Sequence, residues 1–123
     1  MNIIMSMFDN SQGVRHEPGA TIFSRGEPGS VMYVVLEGEV ELMIADGIVQ
    51  VLGPGEPFGE MALIDSEPRV ATAVARTACR LAAVTEERFL AMIQDKPYFG
   101  LEIMKVMAHR LRRMNASAAP PAA

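Results

Sequence analysis

The sequence predicts a mainly β protein with C-terminal helices: a β jelly-roll barrel followed by two α-helices. Three observations carry this reading. Short apolar runs are broken at even spacing by Pro18-Gly19, Pro28-Gly29 and Pro54-Gly55, the punctuation of turns between strands. Within those runs the apolar residues are continuous or alternate with period two. After Val84 the pattern changes to helical spacing.

Residues 1–13 read as a loose lead-in. Val31 to Leu36 is continuously apolar and reads as a strand buried on both faces. Glu37-Gly38-Glu39 supplies a turn or bulge. From there Val40, Leu42 and Ile44 face one way and Glu39, Glu41 and Met43 the other. Asp46-Gly47 is a hairpin signal, and Ile48 to Leu52 returns. Short strands so evenly spaced suggest a sandwich or jelly roll. Thr85 is placed to cap a helix with Glu86 and Glu87 in its first turn. Phe89, Leu90 and Ile93 give that helix an apolar face. Pro97 suits the first turn of a second helix, which runs to Met114, about 18 residues and about 27 Å. Met104, Met107, Leu111 and Met114 share one face of it, with Ile103 beside them. Residues 115–123, "NASAAPPAA", read as a disordered tail. One domain, residues 14–114, lies between lead-in and tail.

Composition narrows the classes. A chain of 123 residues is one domain, and 50% hydrophobic residues suffice for a core. The net charge of -4 argues against a nucleic-acid-binding surface. Two His and one Cys are too few for a structural zinc site of about four ligands. Cys79 has no partner for an internal disulfide, which points to a reducing, cytoplasmic compartment. "MNIIMSMF" has no basic start and no cleavage site, so no signal peptide is read. No apolar stretch approaches the roughly 20 residues that span a membrane.

The segment "FGEMALIDSEPRVATAVA", Phe58 to Ala75, is the informative one. Gly59 lets backbone approach a ligand without a Cβ in the way. Glu60 to Ile64 is long enough for one helical turn, whose open N–H groups favour an anion. Arg69 supplies a forked cation suited to two phosphate oxygens. Glu60 is an acceptor for a sugar hydroxyl. Val70, Thr72 and Val74 share one strand face, and Ala71, Ala73 and Ala75 the other, which leaves room for close packing. A surface ion pair between Glu60 and Arg69 is the simpler alternative, contributing about 0–1 kcal/mol. It leaves Gly59, the apolar turn and Pro68 without a reason.

"FGEMALIDSEPRVATAV" resembles the phosphate-binding cassette of the cyclic-nucleotide-binding domain family, including the spacing from Glu60 to Arg69. "FSRGEPGSVMYVVLEGEVEL" resembles the early strands of that domain, and the segment from Cys79 to Met114 its closing helices. The resemblance implies a binding site for a cyclic nucleotide and no cofactor. Glu60 would take the ribose 2′-hydroxyl and Arg69 the cyclic phosphate. Backbone N–H groups of Gly59, Glu60, Ala62 and Val70 would complete the cradle, with Met61 and Ala71 in the same binding segment. Leu42 and Leu52 would touch the purine. Arg110 and Met114 match positions that cap the base in some members. Arg110 read by itself is equally a cation near a helix C-terminus. Members preferring cyclic GMP often carry Thr where this chain has Val70, whose side chain neither donates nor accepts. Cyclic AMP is therefore favoured over cyclic GMP.

The family domain usually has helical structure before its barrel, for which there is little room here. Nothing in the sequence after the last helix reads as an output module, so the expectation is a ligand-switched sensor acting on a separate protein partner. The face of Met104, Met107, Leu111 and Met114 is that partner's surface, a homodimer seam, or packing against the barrel. Two rival classes are a cupin-like metal enzyme and a scaffold that binds nothing. His16 and His109 form no ligand cluster in the sequence, and Ser24, Ser30 and Cys79 have no His nearby in the sequence. Intact Glu60 and Arg69 argue against an empty scaffold.

Overall fold

The computed structural model describes residues 4–9, 12–44 and 47–118. Eight strands precede two long helices: β1 (Val14–His16), β2 (Thr21–Phe23), β3 (Val31–Glu37), β4 (Val40–Ile44), β5 (Gly47–Leu52), β6 (Pro57–Phe58), then a single turn α1 (Met61–Ile64), β7 (Thr72–Ala75), β8 (Cys79–Thr85), α2 (Glu86–Asp95) and α3 (Pro97–Ala118). The strands form two four-stranded antiparallel sheets, β1-β8-β3-β6 and β2-β7-β4-β5. This is the predicted jelly roll followed by helices.

The sheet containing β3 is covered on both faces, as the unbroken apolar run predicts. Met32, Val34 and Leu36 pack with Ala82 and Val84 against Met92, Phe99 and Ile103 of the helices. Val35 points the other way, into a second core with Phe23, Val40, Leu52, Phe58, Ala73, Ala75, Cys79 and Leu81 between the sheets. Val40 is fully buried and pairs in register with Leu52, with Leu42 partly buried on the same core, and a register shift between Leu42 and Met43 interrupts the expected alternation. Gly38 makes the β3–β4 turn with φ +82, a conformation that favours glycine. Of the hairpin signal, Asp46 lies outside the described residues, and β4 and β5 pair from Ile44 and Gly47 onward.

Thr85 caps α2, its Oγ1 accepting the Arg88 N–H at 3.2 Å, with Glu86 and Glu87 in the first turn. Pro97 opens α3.

Three local expectations are corrected, and the open reading of the α3 face is resolved. The lead-in is docked: Ile4 is buried, and Met5, Met7 and Phe8 pack on the same core. Four apolar side chains next to an apolar helix pair remove area from water. On α2, Phe89 and Ile93 pack inward but Leu90 is 54% exposed, and Met92 takes the buried place. On α3 the packed face is Phe99, Ile103, Val106 and Met107, whereas Met104 and Leu111 face solvent. The helix runs to Ala118, past the Met114 end expected for it. Residues 119–123 lie outside the described residues.

Candidate functional site

The site is built where the single turn α1 and the start of β7 meet the barrel. Gly59 turns the chain out of β6 with φ +75, and a Cβ on it would come within 2.8 Å of Arg69 Nη1. Glu60 then precedes α1, whose first backbone bonds are Ala62 N–H to Gly59 O at 3.3 Å and Leu63 N–H to Glu60 O at 3.0 Å. The Ala62 N–H, expected to face a ligand, therefore already has a partner.

Glu60 and Arg69 are the buried charged residues of the described structure, 7% and 8% exposed. They do not pair with each other. Arg69 donates from Nη1 to Gly59 O at 3.1 Å and from Nη2 to Val31 O at 2.8 Å. Its guanidinium carbon lies 4.1 Å from the centroid of the Phe23 ring. Its Nε has no partner in the described structure. Among the described residues no carboxylate lies within ion-pair distance of it. Burial pulls the Arg69 pKa down from its usual value, partly opposed by Tyr33 and Glu27. Arginine stays charged regardless, so the fold holds a cation among neutral carbonyls.

The backbone around Arg69 is tied to the β2–β3 loop. Arg69 N–H donates to Glu27 O and Gly26 N–H to Arg69 O, both at 2.8 Å, and Arg25 N–H to Thr72 Oγ1 at 3.0 Å. The loop and the Arg69 segment are therefore tied together by backbone hydrogen bonds. Ala71, Ala73 and Ala75 are buried on one face of this stretch while Val70 is 56% exposed on the other, as the alternation predicts. Met61 is also exposed and Ala62 buried.

Glu60 has a partner that the sequence reading missed. Arg110, from α3, donates from Nη1 to Glu60 Oε1 at 3.2 Å, and its Nη2 donates to Pro57 O. The two side chains are 14% and 9% exposed. Arg110 is thus more than a helix-end cation: it is a strut between α3 and the α1 turn. The signal that pointed to it was position alone, since a contact across 50 residues leaves no local pattern.

A cavity of about 290 Å³ opens beside Arg110, with Gln50 and Glu56 on the barrel side and Val106, His109 and Arg113 on α3. Leu42 is half-buried at the edge of the inter-sheet core, cross-strand from Gln50. Leu52, expected to touch the purine, is instead fully buried in that core, because it shares the inward face with Val40. The Met114 side chain lies outside the described residues. His16 sits directly across the β1–β8 ladder from Cys79. Burial raises the Cys79 thiol pKa, the opposite of what activates a nucleophile.

A buried cation and a separately paired carboxylate, on either side of one helical turn at the mouth of a jelly roll, match the cassette geometry implied by the motif. The family model for the cyclic nucleotide-binding domain matches residues 14–96. The chain belongs to the cyclic-nucleotide-binding domain family. A member of known role, the CRP-like cAMP-activated global transcriptional regulator of Mycobacterium tuberculosis, is 31% identical over 117 residues, covering 91% of this chain and 52% of that protein. The crystal structure of the Thermus thermophilus catabolite activator protein superposes with a TM-score of 0.75 at 34% identity, over 88% of this chain and 54% of that one. The EAL enzyme Bd1971 in its cAMP-bound form superposes with a TM-score of 0.63 at 35% identity, over 87% of this chain and 30% of that one. The chain spans about half the length of the first curated relatives it matches. With a relative named as a transcriptional regulator, net charge no longer supports excluding nucleic acid from the domain's partners. Among the described residues no helix is long and apolar enough to cross a membrane.

Proposed function

We propose that this domain binds a cyclic nucleotide, cyclic AMP in preference to cyclic GMP, and acts as a ligand-switched regulatory module in the cytoplasm rather than as an enzyme. One observation carries the reading: Arg69 is a buried cation with no anionic partner among the described residues. An uncompensated buried charge is costly, and the phosphate of a cyclic nucleotide supplies the missing anion. A guanidinium has five N–H donors, and the bonds to the Gly59 and Val31 carbonyls leave capacity for phosphate oxygens. Gly59, Glu60, Met61, Ala62, Val70 and Ala71 would line that point, and Glu60 retains lone pairs for a ribose hydroxyl while holding Arg110. The base would lie toward Leu42 and the cavity beside α3. Val70 offers guanine no hydrogen bond, which supports the preference for adenine. Cyclic GMP stays within reach, since one relative has been solved with cAMP and with cGMP.

Coupling follows from Glu60. A sugar hydroxyl and Arg110 share one carboxylate, so the ligand's arrival alters the bond that ties α3 to the site. The ligand shifts α3 only by as much as it prefers one position of the helix. The exposed side of α3, with Leu101, Met104 and Leu111, is the surface that would then meet a second copy or a separate protein partner.

Calorimetry with cyclic AMP and cyclic GMP on the parent and on Arg69→Ala tests the reading. Two charge-assisted hydrogen bonds at about 1.5–3 kcal/mol each predict a loss of at least about 100-fold. Equal affinity in the two proteins would remove the basis for the site.

A further inference from the structure

Phe23 is an unusual neighbour for a phosphate-binding arginine. Its ring lies 4.1 Å from the Arg69 guanidinium carbon, within cation–π distance. The ring is itself held by Tyr33 and Phe58, with centroid separations of 6.0 and 5.9 Å. Phe23 is 7% exposed, so the contact is shielded from water. Gly29 approaches the same guanidinium: a Cβ there would stand 2.2 Å from Arg69 Nε and 2.4 Å from Cζ. The two carbonyl bonds fix Nη1 and Nη2. Ring, glycine and carbonyls all constrain the arginine, and none of them carries a charge.

We propose that Phe23 and Gly29 are positioning residues for the ligand's phosphate, holding Arg69 in one orientation through its ring face and through the absence of a side chain at position 29. The inference rests on the cyclic-nucleotide reading and adds to it. A carboxylate paired with an arginine would orient it but also compensate part of its charge. Here an aromatic face does the orienting and leaves the charge undiminished for the incoming phosphodiester. A disordered arginine would lose rotamer freedom on binding; this one has lost it already.

The experiment compares parent, Phe23→Leu, Phe23→Tyr and Gly29→Ala by calorimetry with cyclic AMP, and follows the Arg69 Nε–H resonance by NMR without ligand. In the parent that resonance is shifted upfield by the Phe23 ring current, and Phe23→Leu returns it to the ordinary arginine range. Phe23→Leu lowers affinity by roughly 3- to 30-fold, the range of a shielded cation–π contact. Phe23→Tyr restores both affinity and shift, which a purely structural role would not require. Gly29→Ala moves the resonance and weakens binding. Should Phe23→Leu fail to fold, Phe23→Met, of similar volume, takes its place. Phe23→Leu binding as tightly as the parent, an unshifted Arg69 signal in the parent, or a Tyr variant as weak as the Leu variant each overturns the inference while the functional reading stands. A parent that binds no cyclic nucleotide overturns the functional reading, and the inference with it.

Discussion

Replacing Arg110 isolates the strut between α3 and the binding turn. In the ligand-free protein, Arg110→Met removes both bonds from Arg110 and leaves Glu60 as an ionised carboxylate with its partner gone. Breaking a fully buried pair by deleting one partner costs about 3–5 kcal/mol. The side chains here are 14% and 9% exposed, so water relieves part of that, and about 2–4 kcal/mol is expected. Glu60→Gln keeps shape and an acceptor for Arg110 but removes the charge, for a loss of about 1–2 kcal/mol. The double variant should recover about 1–3 kcal/mol relative to the sum of the singles, since the pair acts as one unit. At about 3–6 °C per kcal/mol for a chain of this size, Arg110→Met lowers Tm by on the order of 10 °C. Urea unfolding followed by circular dichroism gives all four free energies. A loss below about 0.5 kcal/mol for Arg110→Met would mean that the pair is in effect solvated, and the coupling of α3 to the site would have no carrier.

Three further outcomes follow from the same geometry. Val70→Thr, on a side chain 56% exposed and so free to carry a hydroxyl, raises affinity for cyclic GMP relative to cyclic AMP by roughly 3- to 10-fold, about one net hydrogen bond; an unchanged ratio by calorimetry removes Val70 from the selectivity argument. Met104→Glu with Leu111→Glu, two exposed apolar positions on α3, abolishes any self-association seen by sedimentation without lowering Tm by more than about 2 °C; an unaltered dimer places the seam elsewhere. Linear 5′-AMP binds at least about tenfold more weakly than cyclic AMP, and equal binding of the two would show that the buried charge does not select the ligand.

How much was legible in the sequence depended on how local the cause was. The Pro18-Gly19 and Pro54-Gly55 turns, the Thr85 cap and the Pro97 start are set by a few neighbouring residues and were found where their chemistry predicted, whereas near Pro28-Gly29 the turn falls at Arg25-Gly26. The Glu60–Arg69 cassette was legible for the same reason: every part of it lies within one short segment. The strut was not, because Arg110 and Glu60 meet only after two sheets and two helices have packed. The face of α3 stayed open in the sequence because the helix carries two apolar stripes. Met104 and Leu111 obey helical spacing as well as Phe99, Ile103 and Val106 do, and periodicity alone does not say which stripe meets the barrel. Leu52 was misplaced by a similar ambiguity: an inward-facing strand residue can line a pocket or fill a core, and its pairing with Val40 puts it in the core.

The balance of buried charge makes the ligand's chemistry more specific than an anion in general. Arg69 and Arg110 are two cations in or beside the site, and Glu60 is its one buried carboxylate among the described residues. Glu60 compensates Arg110, which leaves the positive charge of Arg69. A cyclic phosphodiester carries a single negative charge and brings the site to neutrality. A linear monophosphate carries about -1.5 to -2 at neutral pH and would leave excess negative charge beside the Glu60 carboxylate, in surroundings where such charge is poorly solvated. An uncharged nucleoside would leave Arg69 as it is and gain nothing from it. On the proposed reading, discrimination between cyclic and linear nucleotide would need no steric gate: it would follow from one arginine being buried without an acidic partner among the described residues, while the one buried acid among them is already engaged by α3.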